Sequence, residues 1–290
     1  MSLFDHIRAE AAEGSSILRM CSLLGVSRSG YYDHVARPLQ GPRADEERLV
    51  AKMRALQTAV DGTYGKRRMH RELVDDGEQV GRRRVRRLMR EHGIVAIQTR
   101  RFHKTTDSNH ALGYAPNLLQ QNFSAQAPDR VWVGDITYIP TAEGWCYLAV
   151  LLDLYSRRVV GWALDDHMRA ELPQRALSRA LQLRSPAPGL VHHSDRGSQY
   201  AANDYRRELA RRGLVQSMSD AGNCYDNAVA ESFFGSLKKE CISRHSFATR
   251  TEVYDVVARY IDGFYNPTRR HSTLGYVSPL RYEQQVILAA

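Results

Sequence analysis

The order of apolar segments after residue 130 constrains the fold of this chain more than any other feature. Residues 131–139 are rich in β-branched and aromatic side chains, and residues 145–154 are nearly all apolar, as expected for a strand buried on both faces. Residues 157–164 are predicted to form a third strand. Helical and extended patterns then alternate, with further strands expected at residues 190–193 and 214–218. Three strands followed by this alternation predict an α/β fold, a mixed five-stranded sheet flanked by helices.

The sequence before this region is predicted to be helical. Apolar residues recur at helical spacing on both sides of Gly25 and Ser27, which is typical of a helix-turn-helix, although an ordinary helical hairpin fits equally well. Prolines and glycines in residues 37–44 predict a linker. We therefore divide the chain into an N-terminal helical segment (1–60), a basic helix-turn-helix module (61–105), a connector (106–129) and a core (130–285).

The bulk composition points to a polyanionic partner. The chain has 290 residues and a formal net charge of +9, which favours nucleic acid, with an anionic membrane surface as the alternative. Its four cysteines lie far apart, without the Cys-x-x-Cys spacing of zinc sites, and predict a reduced, cytoplasmic protein. We expect no secretory signal peptide and no membrane span, and we place the chain in the bacterial cytoplasm with the nucleoid.

The basic charge is concentrated in the segment before the core. Residues 62–104 contain 13 Lys and Arg against 5 Asp and Glu. The predicted helix at residues 82–92 carries four arginines on one face: Arg83, Arg86, Arg87 and Arg90. A solvated charged face is the common explanation for such a run. Because like charges at this spacing destabilise an isolated helix and a phosphate backbone would relieve the repulsion, we favour contact with double-stranded DNA.

Three carboxylates on separate predicted elements form the candidate catalytic site. Asp135 lies within the first strand, where an unpaired carboxylate is costly to bury, and Asp195 directly follows the fourth strand. Glu231 shares a helix face with Asn227 and Lys238. Taken singly, each acid has a structural explanation. Asp135 fits a hydrogen-bonded strand aspartate, Asp195 fits a helix N-cap, and Glu231 fits a solvated helix face.

Taken together, the three acids predict a site for divalent cations. Oxygen ligands without paired His or Cys favour Mg²⁺ or Mn²⁺ over zinc. Two such ions activate an attacking oxygen and stabilise a leaving oxygen in phosphodiester chemistry. Asp153, near the end of the second strand, is the alternative ligand should Asp135 lie elsewhere.

The spacing and flanking motifs resemble a known family. Thirty-five residues separate Asp195 from Glu231, the Asp, Asp, 35, Glu pattern of retroviral integrases and related bacterial transposases. The surrounding motifs resemble the second-reading-frame product of IS3-family insertion-sequence transposases over about residues 17–285. The segments that carry the resemblance are 132–139, 193–200, 217–227, 231–238 and 265–279.

This resemblance implies a ribonuclease H-like core and a transposase that cleaves DNA 3′ ends and transfers strands in a metal-dependent reaction. Asp135, Asp195 and Glu231 carry over as metal ligands, and Lys238 as a DNA contact near the site. Arg270 is a further candidate for phosphate binding, and Asn227 and His193 are candidates to support the site. The family also implies an upstream-frame (OrfA) partner, and the handling of two DNA ends implies at least a dimer. The alternatives are a catalytically silent DNA-binding regulator and a nuclease that does not join strands.

Overall fold

The computed structural model describes residues 3–12, 14–36, 41–97, 113–220 and 227–289. Within these ranges, no helix is both long enough and apolar enough to cross a membrane. The N-terminal segment contains α1 (Leu3–Ala12), α2 (Ile17–Leu23) and α3 (Arg28–Ala36) around a small apolar cluster. As predicted, Gly25 adopts a positive φ of 64° in the turn after α2, and Ser27 Oγ accepts a hydrogen bond from Gly30 N at 3.1 Å at the start of α3.

The basic module contains three helices around one core. Helices α4 (Gly41–Ala59), α5 (Lys66–Asp75) and α6 (Arg82–Glu91) bury their apolar stripes together. The shared side chains include Leu49, Met53, Met69, Leu73, Val85 and Leu88. Helix α4 starts inside the stretch predicted as a linker and packs with α5 and α6, so this module begins before residue 61.

The core contains the predicted mixed sheet. Its strands are β1 (Val131–Thr141), β2 (Gly144–Asp153), β3 (Val159–Asp165), β4 (Val191–Ser194) and β5 (Val215–Met218). They lie in the order β3-β2-β1-β4-β5. The first three strands are antiparallel neighbours, whereas β4 runs parallel to β1 and β5 runs parallel to β4. The carboxyl ends of β1, β4 and β5 therefore point toward one edge of the molecule.

Helices cover both faces of the sheet, as predicted. Side chains of α10 (Ala228–Glu240) and α11 (Arg250–Ala258) pack on the face to which β1 contributes Val133 and Ile139. Trp132 and Ile136 point to the opposite face. That face is covered by α7 (Glu171–Arg184), α8 (Ser198–Ala201) and α9 (Asn203–Arg211).

The end of the chain differs from the expectation. Helix α11 is followed directly by a π-helical segment, Arg259–Tyr265. A further helix, α12 (Pro279–Ala289), was not predicted. Its Glu283 is buried and accepts hydrogen bonds from Arg158 at 2.7 Å and Arg184 at 2.8 Å, which ties α12 to the β2–β3 turn and to α7.

The basic module docks on the core through the C-terminal segment. Tyr64 Oη accepts a hydrogen bond from Arg270 N at 3.1 Å and donates one to Thr268 O at 3.2 Å. Arg244 in the core pairs with Asp61, with Nη2 and Oδ1 2.9 Å apart. These contacts join residues about 200 positions apart in the chain, so they fix how the module lies against the core.

Candidate active site

The parallel pairing of β1 and β4 brings Asp135 and Asp195 together. The register pairs Val133 with His193 and Gly134 with Ser194. Asp135 is the next residue of β1 and Asp195 directly follows β4, and neighbouring strands lie about 4.8 Å apart. Because side chains at paired positions point to the same face, both carboxylates leave the sheet on the same side.

Local packing explains why these aspartates stand at these positions. A Cβ on Gly134 would lie 3.1 Å from both His192 Nε2 and Leu151 Cδ2, so the residue before Asp135 has little room for a side chain. Asp195 Oδ1 accepts a hydrogen bond from Gly197 N at 3.0 Å, which closes the turn between β4 and α8. Gly197, not Asp195, is the N-cap residue of α8, so the helix-cap explanation for Asp195 does not hold. The carboxylate of Asp195 is close enough to Asp135 to raise the pKa of that carboxyl.

Glu231 reaches the same place from α10. This helix packs against β1 on the face that carries Val133, the face to which Asp135 also points by strand alternation. Phe233 and Leu237 anchor the helix in the core, whereas Glu231 is exposed. The three predicted carboxylates thus converge on one edge of the sheet.

The electrostatics of Asp135 show the same convergence. Burial raises the pKa of its carboxyl well above the usual range, and the neighbouring carboxylates of Asp195 and Glu231 raise it further. A hydrogen bond from Ile136 N at 2.7 Å and the ammonium of Lys238 act in the opposite direction. A cluster of acids that repel one another in this way is the donor set that a hard divalent cation stabilises.

Lys238 lies beside this cluster. Its Nζ lies 5.3 Å from the centroid of the Tyr138 ring, and it is close enough to affect the pKa of Asp135. Partial burial lowers the pKa of the Lys238 ammonium, while Tyr138 and Asp135 act to raise it. Lys238, the residue expected to contact DNA near the site, therefore lies close to Asp135.

Tyr138 was not identified from the sequence. Alternation along a strand assigns it to the face opposite Asp135, so no pattern linked it to the acids. The structure shows the reason for its contact with Lys238. The strand β4 pairs with β1 only as far as Gly134. Beyond that residue the side chain of Lys238, from α10, passes the edge of β1 and contacts the Tyr138 ring.

The two predicted supporting residues occupy buried positions. Asn227 precedes α10 as its N-cap residue, and its Oδ1 has no hydrogen-bond partner within the described part of the chain. His193 is fully buried between β4 and β5, with Nδ1 2.8 Å from Ser217 Oγ and Nε2 3.3 Å from Ser219 Oγ. By register His193 lies on the face of Val133, two residues before Asp195.

Asp153, the alternative ligand, lies away from the cluster. It pairs in register with Trp132, three positions along β1 from Asp135. Its oxygens accept hydrogen bonds from Asp129 N at 2.7 Å and Ser156 N at 2.9 Å. These bonds satisfy the buried carboxylate and shape the turn after β2, so Asp153 has a structural position.

The arginines predicted to bind DNA fall into two groups. Arg83, Arg86 and Arg90 are exposed on the outer face of α6. Arg87 instead pairs with Glu46, and with Glu91 at 2.7 Å. Arg270 is buried and pairs with Glu72, and with Asp75 at 2.6 Å. Protein acids therefore already compensate the charges of Arg87 and Arg270, which favours structural roles for both.

Comparison with known proteins agrees with this architecture and defines the class of protein. Two models described as integrase core domain match residues 125–224 and 212–279, and a model described as HTH-like domain matches residues 44–102. The chain is therefore an integrase-core protein with a helix-turn-helix-like module.

Curated relatives identify the family. The chain is 47% identical over 266 residues to an uncharacterized 31 kDa protein of insertion element IS600 from Shigella sonnei, covering 92% of this chain and 98% of the relative. It is 40% identical over 277 residues to transposase InsF for insertion sequence IS3A from Escherichia coli, covering 93% and 94%. This chain belongs to the IS3 family of insertion-sequence transposases.

Among solved structures, the chain resembles the simian T-cell lymphotropic virus intasome in complex with PP2A regulatory subunit B56 gamma. The TM-score is 0.47 at 13% identity, over 79% of this chain and 73% of that chain. It also resembles the HTLV-2 integrase catalytic core in complex with magnesium, with a TM-score of 0.33 at 18% identity, over 39% and 70%.

Proposed function

We propose that this transposase cleaves DNA at the ends of its element and joins the freed 3′ ends to target DNA, with Asp135, Asp195 and Glu231 as its catalytic carboxylates. The observation that carries the proposal is the parallel register, which sets Asp135 beside Asp195 on the face covered by α10. Membership of a transposase family supplies the reaction class.

The reaction requires two displacements at phosphorus. In the first, a water oxygen attacks the scissile phosphodiester, the bond between phosphorus and the 3′ oxygen breaks, and that oxygen leaves as a hydroxyl. In the second, the 3′ hydroxyl oxygen attacks a target phosphodiester and loses its proton, while the target 3′ oxygen leaves. One phosphodiester is formed for each one broken in the joining step, so joining needs no external energy source.

The residues of the proposed site have two roles, metal binding and DNA positioning. Asp135, Asp195 and Glu231 would hold Mg²⁺ or Mn²⁺, two ions in our proposal. When bound, such ions supply Lewis-acid stabilisation of the attacking and leaving oxygens. Lys238 places a cation next to these acids, where it would hold a phosphate oxygen of the DNA. Asn227 and His193 are proposed to support the start of α10 and the end of β4.

The test of this proposal is the metal dependence of DNA cleavage. A duplex carrying the element end is incubated with the protein in Mg²⁺, in Mn²⁺ or in EDTA. We expect 3′-end cleavage and joined products in either metal, and a loss of at least about 100-fold in EDTA. Binding without cleavage in any metal would favour the silent regulator, and hydrolysed DNA without joined products would favour the nuclease.

The exposed face of α6 is proposed to bind the DNA backbone. Replacing Arg83, Arg86 and Arg90 together by Ala should reduce the dependence of log affinity on log salt by up to about three, since each phosphate contact contributes about 0.9. Fluorescence anisotropy between 50 and 300 mM salt measures this slope.

The matched control for α6 removes the same charge from another helix. Arg207 and Arg211 lie on α9 and Arg212 directly follows it, and Asp204 and Glu208 pair with these three arginines. Their triple Ala variant should leave the salt dependence nearly unchanged. Equal slopes for wild type and the α6 variant would place the phosphate contacts elsewhere.

Partners and location follow from the same proposal. Two element ends must be brought together, so we propose an assembly of at least two copies on double-stranded DNA in the bacterial cytoplasm. We also propose that the upstream-frame product takes part in recognising the element ends. Assays with and without that product, on end-bearing DNA and on DNA of scrambled end sequence, measure its contribution to selectivity.

A further inference from the structure

An exposed aromatic pair lies on the β1–β2 hairpin. Trp145 is 50% exposed and Tyr138 is 37% exposed. Their ring centroids are 5.0 Å apart and the ring planes meet at 85°. In register, Tyr138 pairs with Tyr147 and Pro140 with Trp145, so both rings lie on one face of the hairpin. Because half of Trp145 is exposed, part of its ring system is open to solvent.

Lys238 links the aromatic pair to the carboxylate cluster around the edge of β1. Its Nζ lies 5.3 Å from the Tyr138 ring centroid, and it is near enough to Asp135 to affect the pKa of that carboxyl. Trp145 pairs in register with Pro140, five positions after Asp135, or about 17 Å along an extended strand. Stacked nucleotides rise about 3.4 Å each, so Trp145 lies within about five nucleotides of a phosphate held at the acids.

The platform is held rigidly. Arg250 at the start of α11 donates from Nε to Trp145 O at 3.2 Å and from Nη2 to Glu143 O at 2.8 Å. Glu143 in turn accepts a hydrogen bond from Arg250 N at 2.9 Å. These three bonds fix the tip of the hairpin to α11. A ring held in place loses little conformational freedom when it binds a flat partner.

We propose that Trp145, in contact with Tyr138, is a stacking platform for an unpaired nucleobase within about five nucleotides of the scissile phosphate. Aromatic faces combined with a cation that follows the backbone are the combination by which proteins hold single-stranded nucleic acid. Lys238 supplies the cation, and the exposed face of Trp145 supplies the stacking surface. The inference rests on the proposed function, because it takes the acid cluster as the position of the scissile phosphate.

The test is a double-mutant cycle between Trp145 and single bases. Affinities are measured in a Glu231→Gln background for end-bearing duplexes whose five nucleotides on either side of the scissile phosphate are left unpaired. Each of these nucleotides is replaced in turn by an abasic site. We expect one abasic position to weaken binding about 5- to 150-fold with Trp145 present, and to have little effect in Trp145→Ala.

Two further variants control the cycle. Trp145→Phe keeps an aromatic face and should retain most of the base effect. Tyr254 is another exposed aromatic residue, and its ring lies against Trp162 on β3, 5.2 Å between centroids. Tyr254→Ala should leave the base effect intact.

Two outcomes would overturn the platform. The first is that abasic sites weaken binding equally with and without Trp145. The second is that Trp145→Ala weakens binding to every duplex by the same factor, which is a general effect on DNA binding. Because the cycle measures binding only, it is independent of cleavage. Failure of the proposed catalytic function would instead appear as absent metal-dependent cleavage with the coupling intact.

Discussion

Replacing Glu231 by Gln is expected to slow cleavage and strand joining by about three orders of magnitude. The change removes one of the two carboxylates that lie beside Asp135, and with it part of the negative charge that would hold the metal ions. Loss of about 4 kcal/mol of transition-state stabilisation corresponds to this factor. Rates are measured on end-bearing duplex DNA in saturating Mg²⁺.

The variant should otherwise behave as the wild type. Glu231 is exposed, and Gln has nearly the same shape, so the fold and the affinity for DNA should change little. Glu171→Gln, at an exposed position in the first turn of α7, is the matched control and should cleave normally. Normal turnover by Glu231→Gln would remove this residue, and with it the proposed three-carboxylate site, from the mechanism.

The placement of the acids was predictable because it follows from strand pattern and topology. A buried strand containing Asp135 and a short strand ending before Asp195 are both visible in the sequence. The carboxyl ends of parallel strands meet at one edge, so two acids at such positions converge once the strands are neighbours. The register that sets them side by side, Gly134 opposite Ser194, depends on packing and was seen only in the structure.

The ion pairs of Arg87 and Arg270 could not be predicted from the sequence, for a physical reason. Sequence spacing shows which face of a helix a charge occupies, but not which acids approach that face from elsewhere. Glu46 on α4 pairs with Arg87, 41 residues later, and Glu72 pairs with Arg270, 198 residues later. Both arginines matched a DNA-binding pattern, yet the folded chain supplies carboxylates to them.

The second large effect is expected at a buried ion pair of the core that lies against the basic module. Arg269 Nε and Nη2 donate to the two carboxylate oxygens of Glu240, both at 2.6 Å. Tyr260 Oη donates to the same carboxylate at 2.8 Å, and Arg68 of α5 lies 3.5 Å from it. Arg269 and Glu240 are 5% and 7% exposed. No sequence pattern predicts this pair, whose members are 29 residues apart.

Arg269→Met is expected to destabilise the protein by about 3–5 kcal/mol, because it leaves the Glu240 carboxylate buried without its main partner. Urea denaturation at neutral pH measures the loss. Although burial alone raises the pKa of Glu240, the hydrogen bonds and charge of Arg269 lower it overall. The contribution of the pair should therefore be complete above the unfolded pKa of about 4.3 and be lost as the pH falls through the lower folded value.

Two further variants separate the pair itself from the packing around it. The double variant Glu240→Leu with Arg269→Met removes both charges and should recover most of the lost stability, since apolar replacements of a buried pair are often nearly neutral. Arg211→Ala breaks an exposed pair with Glu208 on α9 and should cost less than about 1 kcal/mol.

The same helix carries the catalytic candidate and this ion pair. Glu231 and Glu240 are nine residues apart on α10, or about 13.5 Å along the axis. Arg68 of α5 lies beside Glu240, the last residue of α10. A movement of α5 on DNA binding would therefore change the contacts at the C-terminal end of the helix that carries Glu231. Arg269→Met should therefore lower cleavage beyond its loss of folded protein, and the double variant should restore stability more fully than activity. Equal recovery of both would show that the pair stabilises α10 without positioning Glu231.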